Sequence, residues 1–314
     1  MKILVVFTGG TIGSTVQDGW ISTDKSAKYT LIKTYKEKYG NSTEFVTAEP
    51  YYLLSENSGA KNLNLLTECV ADAVNRDYDG IIITHGTDSL HFTAAAVKCA
   101  FSGADIPIVF VSANYPLNDT RSNGNANFEG AVALIESGVR FGVYISYKNP
   151  DGQHFIHKAE NALAFNETDD SIFSLNGKPF ATYCGGKIER FEEPQKGADI
   201  NPVPLCENPK ILVISTMPGD DFAYNVSRYN AVILRPYHSG TVNNQNPLFI
   251  RFLENCQKQD IPVFLANAPM GTTYDTAKEL SSIGIIPLPF TTFAYVYMKL
   301  WFAISQNKNL KNLF

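Results

Sequence analysis

The sequence predicts an α/β protein: a larger N-terminal domain on an open, mostly parallel sheet with helices on both faces, then a smaller, Rossmann-like C-terminal α/β domain. Three observations carry this. Short, fully apolar runs read as buried strands; the segments between them have apolar residues at helical spacing; and a charged, Pro-rich, non-periodic stretch interrupts the alternation once, after which it restarts. The boundaries that follow are residues 1–190 for the larger domain, 191–209 for a linker and 210–314 for the smaller domain.

In chain order, the strand candidates of the first domain are KILVVF (2–7), GIIIT (80–84), PIVFVS (107–112) and VRFGVYI (139–145). Between them, Leu63, Leu66, Val70, Ala73 and Val74 form one helical stripe and Leu90, Ala94, Val97 and Phe101 another, with a third helix over 127–137. Strand alternating with helix implies right-handed crossovers, which place a ligand site beyond the carboxyl ends of the strands. RFEEPQKGADINPVPLCENP (190–209) reads as the linker. The second domain then shows strands at 210–215, 231–234 and 262–266, a helix over 248–259 and a closing helix over 291–306.

Composition narrows the function classes. A formal net charge of -5 with no dense Lys/Arg block gives a nucleic-acid surface no footprint. No run approaches a membrane span, and the apolar stretch after Met1-Lys2 is too short for a signal-peptide core, so a cytoplasmic protein is expected. The 5 cysteines, without a CxxC pair, suggest neither a disulfide framework nor a zinc site. His154 and His157 lie without carboxylates at metal-ligand spacing and read as surface residues, whereas His85, at a strand end, reads as packed and hydrogen-bonded.

Two loops after strands carry the chemistry. TGGTIG (8–13) follows the first strand but is not GxGxxG and lacks the Walker lysine, which disfavours a phosphate cradle. Glycines there bring backbone N–H groups close to a substrate, beside the Thr11 hydroxyl. THGTDSL (84–90) repeats the arrangement after the second strand, with Thr87 next to the carboxylate of Asp88. Alone, Thr87 or Asp88 is a helix cap; two such loops on neighbouring strand ends make a hydroxyl-based site the stronger reading.

Together, TGGTIGS and ITHGTDSL resemble the paired threonine motifs of bacterial-type L-asparaginases, closer to the cytoplasmic type I enzymes. The resemblance covers most of the chain. It implies hydrolysis of L-asparagine to L-aspartate and ammonia through an acyl-enzyme on Thr11, with Thr87, Asp88 and Lys158, the latter in FIHKAEN, as a triad-like set. It also implies substrate contacts from Gly10, Ser55, Glu56 and Gly86, Ala113 of FVSANYP lining the pocket, no metal or organic cofactor, and a homodimer or homotetramer acting on a small amino acid.

Three positions depart from that pattern. Trp20 stands where the first loop of the family carries a tyrosine, and an indole N–H donates but cannot accept a proton. Tyr29, further along the loop, is the substitute phenol. Tyr115 stands where relatives place arginine, and Glu56 where glutamine is common. Two alternatives follow: a weakly active or non-catalytic amino-acid-binding homologue, or a glutaminase-asparaginase.

Overall fold

A computed structural model describes residues 1–17, 20–23, 28–163, 169–197, 201–268, 274–289 and 291–314, without the side chains of 15–17, 20–23 and 28. The chain forms two compact units, Met1–Pro202 and Val203–Phe314. The segment read as a linker is shared between them. Gly197 and Asn201 donate their amides to the carbonyls of Ser102 and Ala100, both at 2.7 Å, and Lys196 pairs with Asp105 at 2.7 Å. Cys206 belongs to the second unit: its amide donates to the Ser305 hydroxyl at 3.0 Å and its carbonyl accepts the Trp301 indole at 2.8 Å.

The first unit opens with β1 (Lys2–Phe7), a hairpin of β2 (Ser14–Gln17) and β3 (Trp20–Thr23), helix α1 (Lys28–Tyr39) and β4 (Glu44–Ala48). It continues through α2 (Ala60–Val74), β5 (Gly80–Thr84), α3 (Leu90–Phe101), β6 (Ile108–Val111), α4 (Gly124–Glu136), β7 (Val143–Lys148) and β8 (His154–Lys158). Two short strands, β9 (Ala162–Leu163) and β10 (Phe173–Ser174), precede β11 (Ala181–Cys184) and β12 (Lys187–Arg190).

Eight strands make one sheet in the order β12-β11-β8-β7-β6-β5-β1-β4. From β4 to β7 the neighbours are parallel; β8, β11 and β12 continue the sheet antiparallel. Central β5 is buried at all five residues, as a strand covered on both faces must be, whereas edge strand β4 exposes Glu44 and Thr47. On one face, Ile3, Val5, Ile82 and Val109 pack with Leu31 of α1 and with Phe128 and Val132 of α4. Helices α2 and α3 pack together, with α3 against β7.

The strand predicted over 139–145 begins instead at Val143. Gly138 and Gly142 hold φ at 78° and 105°, so the chain turns twice before it can extend. After Lys148 it reverses through a turn in which Asn149 and Gln153 close a backbone bond at 2.8 Å. That hairpin produces antiparallel β8.

The second unit is a four-stranded parallel sheet, β13 (Ile211–Ser215), β14 (Ala231–Arg235), β15 (Val263–Ala268) and β16 (Ile285–Pro289), in sequence order. Its helices are α5 (Pro247–Lys258), the single turn α6 (Asp275–Lys278) and α7 (Phe293–Ser305). One face of the sheet packs on Phe249, Phe252 and Leu253 of α5, the other on Val296 and Leu300 of α7. Asn246 caps α5 by accepting from the Leu248 amide at 2.9 Å, and Thr292 caps α7 by accepting from Tyr295 at 3.3 Å. Among the described residues, no helix is long and apolar enough to cross a membrane.

Candidate active site

The site is built at the carboxyl ends of β1 and β5, which are parallel neighbours. As β1 ends, Leu53 runs alongside as a parallel partner: its amide donates to Thr8 at 3.1 Å and its carbonyl accepts from Gly10 at 3.0 Å. Gly9 and Gly10, with φ of 100° and 78°, let the chain turn here into a single 3-10 turn, Thr11–Gly13. The Gly10 carbonyl accepts from the Gly13 amide at 3.0 Å and the Ser14 hydroxyl at 2.8 Å. Tyr52 donates its phenol to the Gly13 carbonyl. Thr11 is thus held on a turn braced from both ends, with its side chain half-buried rather than sealed.

The second loop meets the first directly. A Cβ on Gly10 would collide with the nitrogen and Cα of Gly86, and a Cβ on Gly86 would collide with the Ser55 hydroxyl. Ser55 opens its own single turn, Ser55–Asn57, and is buried. Its hydroxyl lies 3.4 Å from an Asp88 carboxylate oxygen, and Ser89 donates its hydroxyl to the Ser55 carbonyl at 2.7 Å. Ser89, at the N-cap of α3, makes no side-chain cap bond, so the hydroxyl is spent joining the two loops. Thr87 is half-buried and Asp88 exposed, an arrangement that leaves both within reach of a ligand.

His85 locks this corner. It is 2 % exposed, its amide donates to Val111 at 2.9 Å and its Nδ1 lies 2.8 Å from the Gly86 carbonyl. A carbonyl only accepts, so Nδ1 carries the proton. Burial pulls the imidazole pKa down to about 4, against the opposing pull of the Gly86 bond and the Asp88 charge, and the ring is neutral at pH 7.

Thr11, Gly10, Ser55, Gly86, Thr87 and Asp88 are therefore brought together, and Glu56 is exposed beside Ser55. Ala113, fully buried, follows β6 one strand over, where Asn114 and Asn123 exchange side-chain-to-amide bonds at 3.0 and 3.3 Å. Tyr115 is stacked under the Arg121 guanidinium at 4.0 Å. Tyr29 is 54 % exposed, with its ring centroid 6.2 Å from that of Phe7 at the end of β1. Trp20 falls in β3, but its side chain lies outside the described residues.

Lys158 is not brought to the threonines. It pairs with Tyr144 near the start of β7, at the amino side of the parallel strands, and its amine binds Glu192 at 2.7 Å over the Phe180 ring. Its neighbour His157 points to the opposite face, as alternation requires. Both histidines read as surface residues are buried. His154 shares a 2.9 Å bond with the Ser146 hydroxyl and His157 a 2.8 Å bond with Ser174, and burial lowers their pKa values to about 4 and about 3. Leu53, Tyr52 and Ser89 were missed as supports of the site. Only Ser89 had a sequence signal, its place in THGTDSL. Among the described residues, no group of three or more His, Cys, Asp or Glu side chains is placed to hold a metal ion.

Comparison with known proteins agrees with this architecture. A family model described as "Asparaginase, N-terminal" matches residues 2–196. The L-asparaginase of Thermococcus kodakarensis is 23% identical over 323 residues, spanning 100% of this chain and 95% of that protein. One component of the glutamyl-tRNA(Gln) amidotransferase from Methanobrevibacter smithii is 25% identical over 335 residues, 98% of this chain and 73% of that one. Among solved structures, the thermostable L-asparaginase from Thermococcus kodakarensis superposes with a TM-score of 0.83 at 21% identity, covering 100% of this chain and 95% of that chain. With more than half of its length matched by the family model, the chain belongs to the asparaginase family.

Proposed function

We propose that the protein hydrolyses the side-chain amide of L-asparagine to L-aspartate and ammonia, with Thr11 as nucleophile. The observation that carries this reading is the backbone contact of Gly10 with Gly86, which sets two Gly-Thr loops side by side on adjacent strand ends. The Thr11 hydroxyl adds to the amide carbon; its proton passes, with the Thr87 hydroxyl alongside, to the departing nitrogen. Ammonia leaves and an ester remains on Thr11. Water then adds to that ester and releases aspartate.

Asp88, exposed and acidic, holds the substrate α-ammonium as a charge-assisted acceptor, and the Ser55 hydroxyl beside it takes the α-carboxylate. The Gly10 amide is committed to Leu53, so the developing oxyanion draws on other donors of the two threonine loops. Lys158, held by Glu192, is given no step.

A second reading, that the amide is glutamine's, is favoured by Glu56 at the rim. Both readings are tested by ammonia release from asparagine and glutamine in parallel. The first requires asparagine to be turned over faster and Thr11→Ala to abolish release. Binding of asparagine without turnover would instead establish an amino-acid-binding homologue. Family resemblance further supports a dimer or tetramer in the cytoplasm.

A further inference from the structure

At the end of the sheet opposite the threonine loops, where the parallel strands begin, the first unit has an open cavity of about 140 Å³. Three lysines line it from separate elements: Lys98 from the last turn of α3, Lys158 from the end of β8, and Lys196, whose amine is paired with Asp105 at 2.7 Å, from the segment after β12. Glu160 is the only acidic residue of the described lining, and Gln195 and Tyr144 add polar groups. Tyr144 is committed, its hydroxyl donating to the Phe141 carbonyl at 2.7 Å. Arg140 adds a positive charge nearby, felt by Asp105.

Lys98 and Lys158 are held in place rather than splayed into solvent, while Lys196, on Asp105, is 45% exposed. Lys98 and Lys158 expose only 14% and 17% of their side chains, and Lys98 pairs with Glu160 at 3.2 Å. The Lys158 amine already holds a carboxylate, that of Glu192 at 2.7 Å, contributed by an irregular segment and 41% exposed. Glu192 reaches this pair from the solvent side, so another anion has access to its place on Lys158. The cavity leaves room for a small anion beside the three lysines.

We propose that this cavity is a second binding site, separate from the threonine loops, for a compact anion with two or more negative oxygens, which takes the place of Glu192 on Lys158. A phosphate and a short dicarboxylate share that chemistry. The lysines supply the charge, their separate origins fix its geometry, and Glu160, Glu192 and Asp105 balance them one for one when no anion is bound.

The test is calorimetric titration of the full chain at low ionic strength, with inorganic phosphate and succinate as separate probes. At least one probe should bind saturably at one site per chain, and the tighter of the two identifies the source of the anion. Lys158→Met should weaken binding at least tenfold, and Glu192→Gln, which removes the competing carboxylate, should tighten it several-fold. Asp88→Asn should leave this binding unchanged, whereas an anion bound at the threonine loops would respond to it. Absence of saturable binding by both probes overturns the proposal, as does wild-type affinity in Glu192→Gln. That second measurement decides the matter even where Lys158→Met lowers the melting temperature, because Glu192 is a surface residue.

Discussion

Gly10 and Gly86 touch backbone to backbone, leaving no space for a side chain at either position. Their contact couples two loops that lie more than seventy residues apart in sequence. Alanine at Gly10 combines overpacking, typically about 1–3 kcal/mol, with a backbone conformation (φ 78°, ψ -176°) that is essentially reserved for glycine and costs about 1–3 kcal/mol more. Gly10→Ala should therefore lower the urea midpoint clearly and abolish ammonia release. A variant with wild-type stability and activity would mean that the loops do not need this contact.

Removal of the hydroxyls should separate chemistry from stability. Thr11→Ala and Thr87→Ala each lower kcat by at least about a thousand-fold, since the first deletes the nucleophile and the second its neighbour in proton transfer. Both side chains are only half-buried, so the unfolding free energy should change by less than about 1 kcal/mol. Ammonia release and urea denaturation on the same preparations check the pair of statements.

Asp88→Asn should act mainly through KM. It keeps the shape at the rim, including the neighbour of the Ser55 hydroxyl, and removes the charge that meets an α-ammonium. A rise in KM of about ten- to a hundred-fold is expected, with kcat less affected. An unchanged KM would place amino-group recognition elsewhere.

Trp20→Tyr should raise kcat. The indole cannot accept a proton and a phenol can, so restoring the phenol to the first loop supplies a partner for the Thr11 hydroxyl. An equal or lower rate would assign that role to a different side chain, and Tyr29→Phe then tests the substitute phenol.

Acid should destabilise the fold through its buried imidazoles. His85, His154 and His157 titrate near 4, 4 and 3 in the folded chain, below the ordinary value of about 6.5 that applies when unfolded. Their folded pKa values are lowered, so the unfolded chain binds more protons between the two values. The stability they contribute is complete above about pH 6.5 and falls as the pH drops toward 4, by about 1.4 kcal/mol per pH unit for each histidine in that window. Urea unfolding at pH 7, 6 and 5 measures the slope, and His157→Asn should flatten it.

How much of this was legible in the sequence depended on where the information lay. GIIIT and KILVVF announced buried strands because a strand covered on both faces needs an unbroken apolar run. The two Gly-Thr loops were visible because special backbone geometry requires glycine. Strands β8, β11 and β12 carry no such run, so the antiparallel flank was not foreseen. Lys158 shows the sharper limit. Strand β8 runs antiparallel to β7, so its last residue falls beside Tyr144 at the amino side of the parallel strands, and spacing along the chain could not reveal that reversal. The bracing of Gly10 by Leu53 leaves no trace in side-chain identity, because main-chain groups make it.

That bracing has a consequence for the evolution of specificity. Two backbone bonds tie Leu53, two residues before Ser55, to the strand end that presents Thr11. The span between the group proposed to hold the α-carboxylate and the group proposed to attack the amide is thus a fixed ruler, written in main chain. A substrate longer by one methylene cannot be admitted by stretching it. Any drift from asparagine toward glutamine must instead come from side chains lining the gap, such as Glu56, and should appear as graded changes in selectivity rather than a switch.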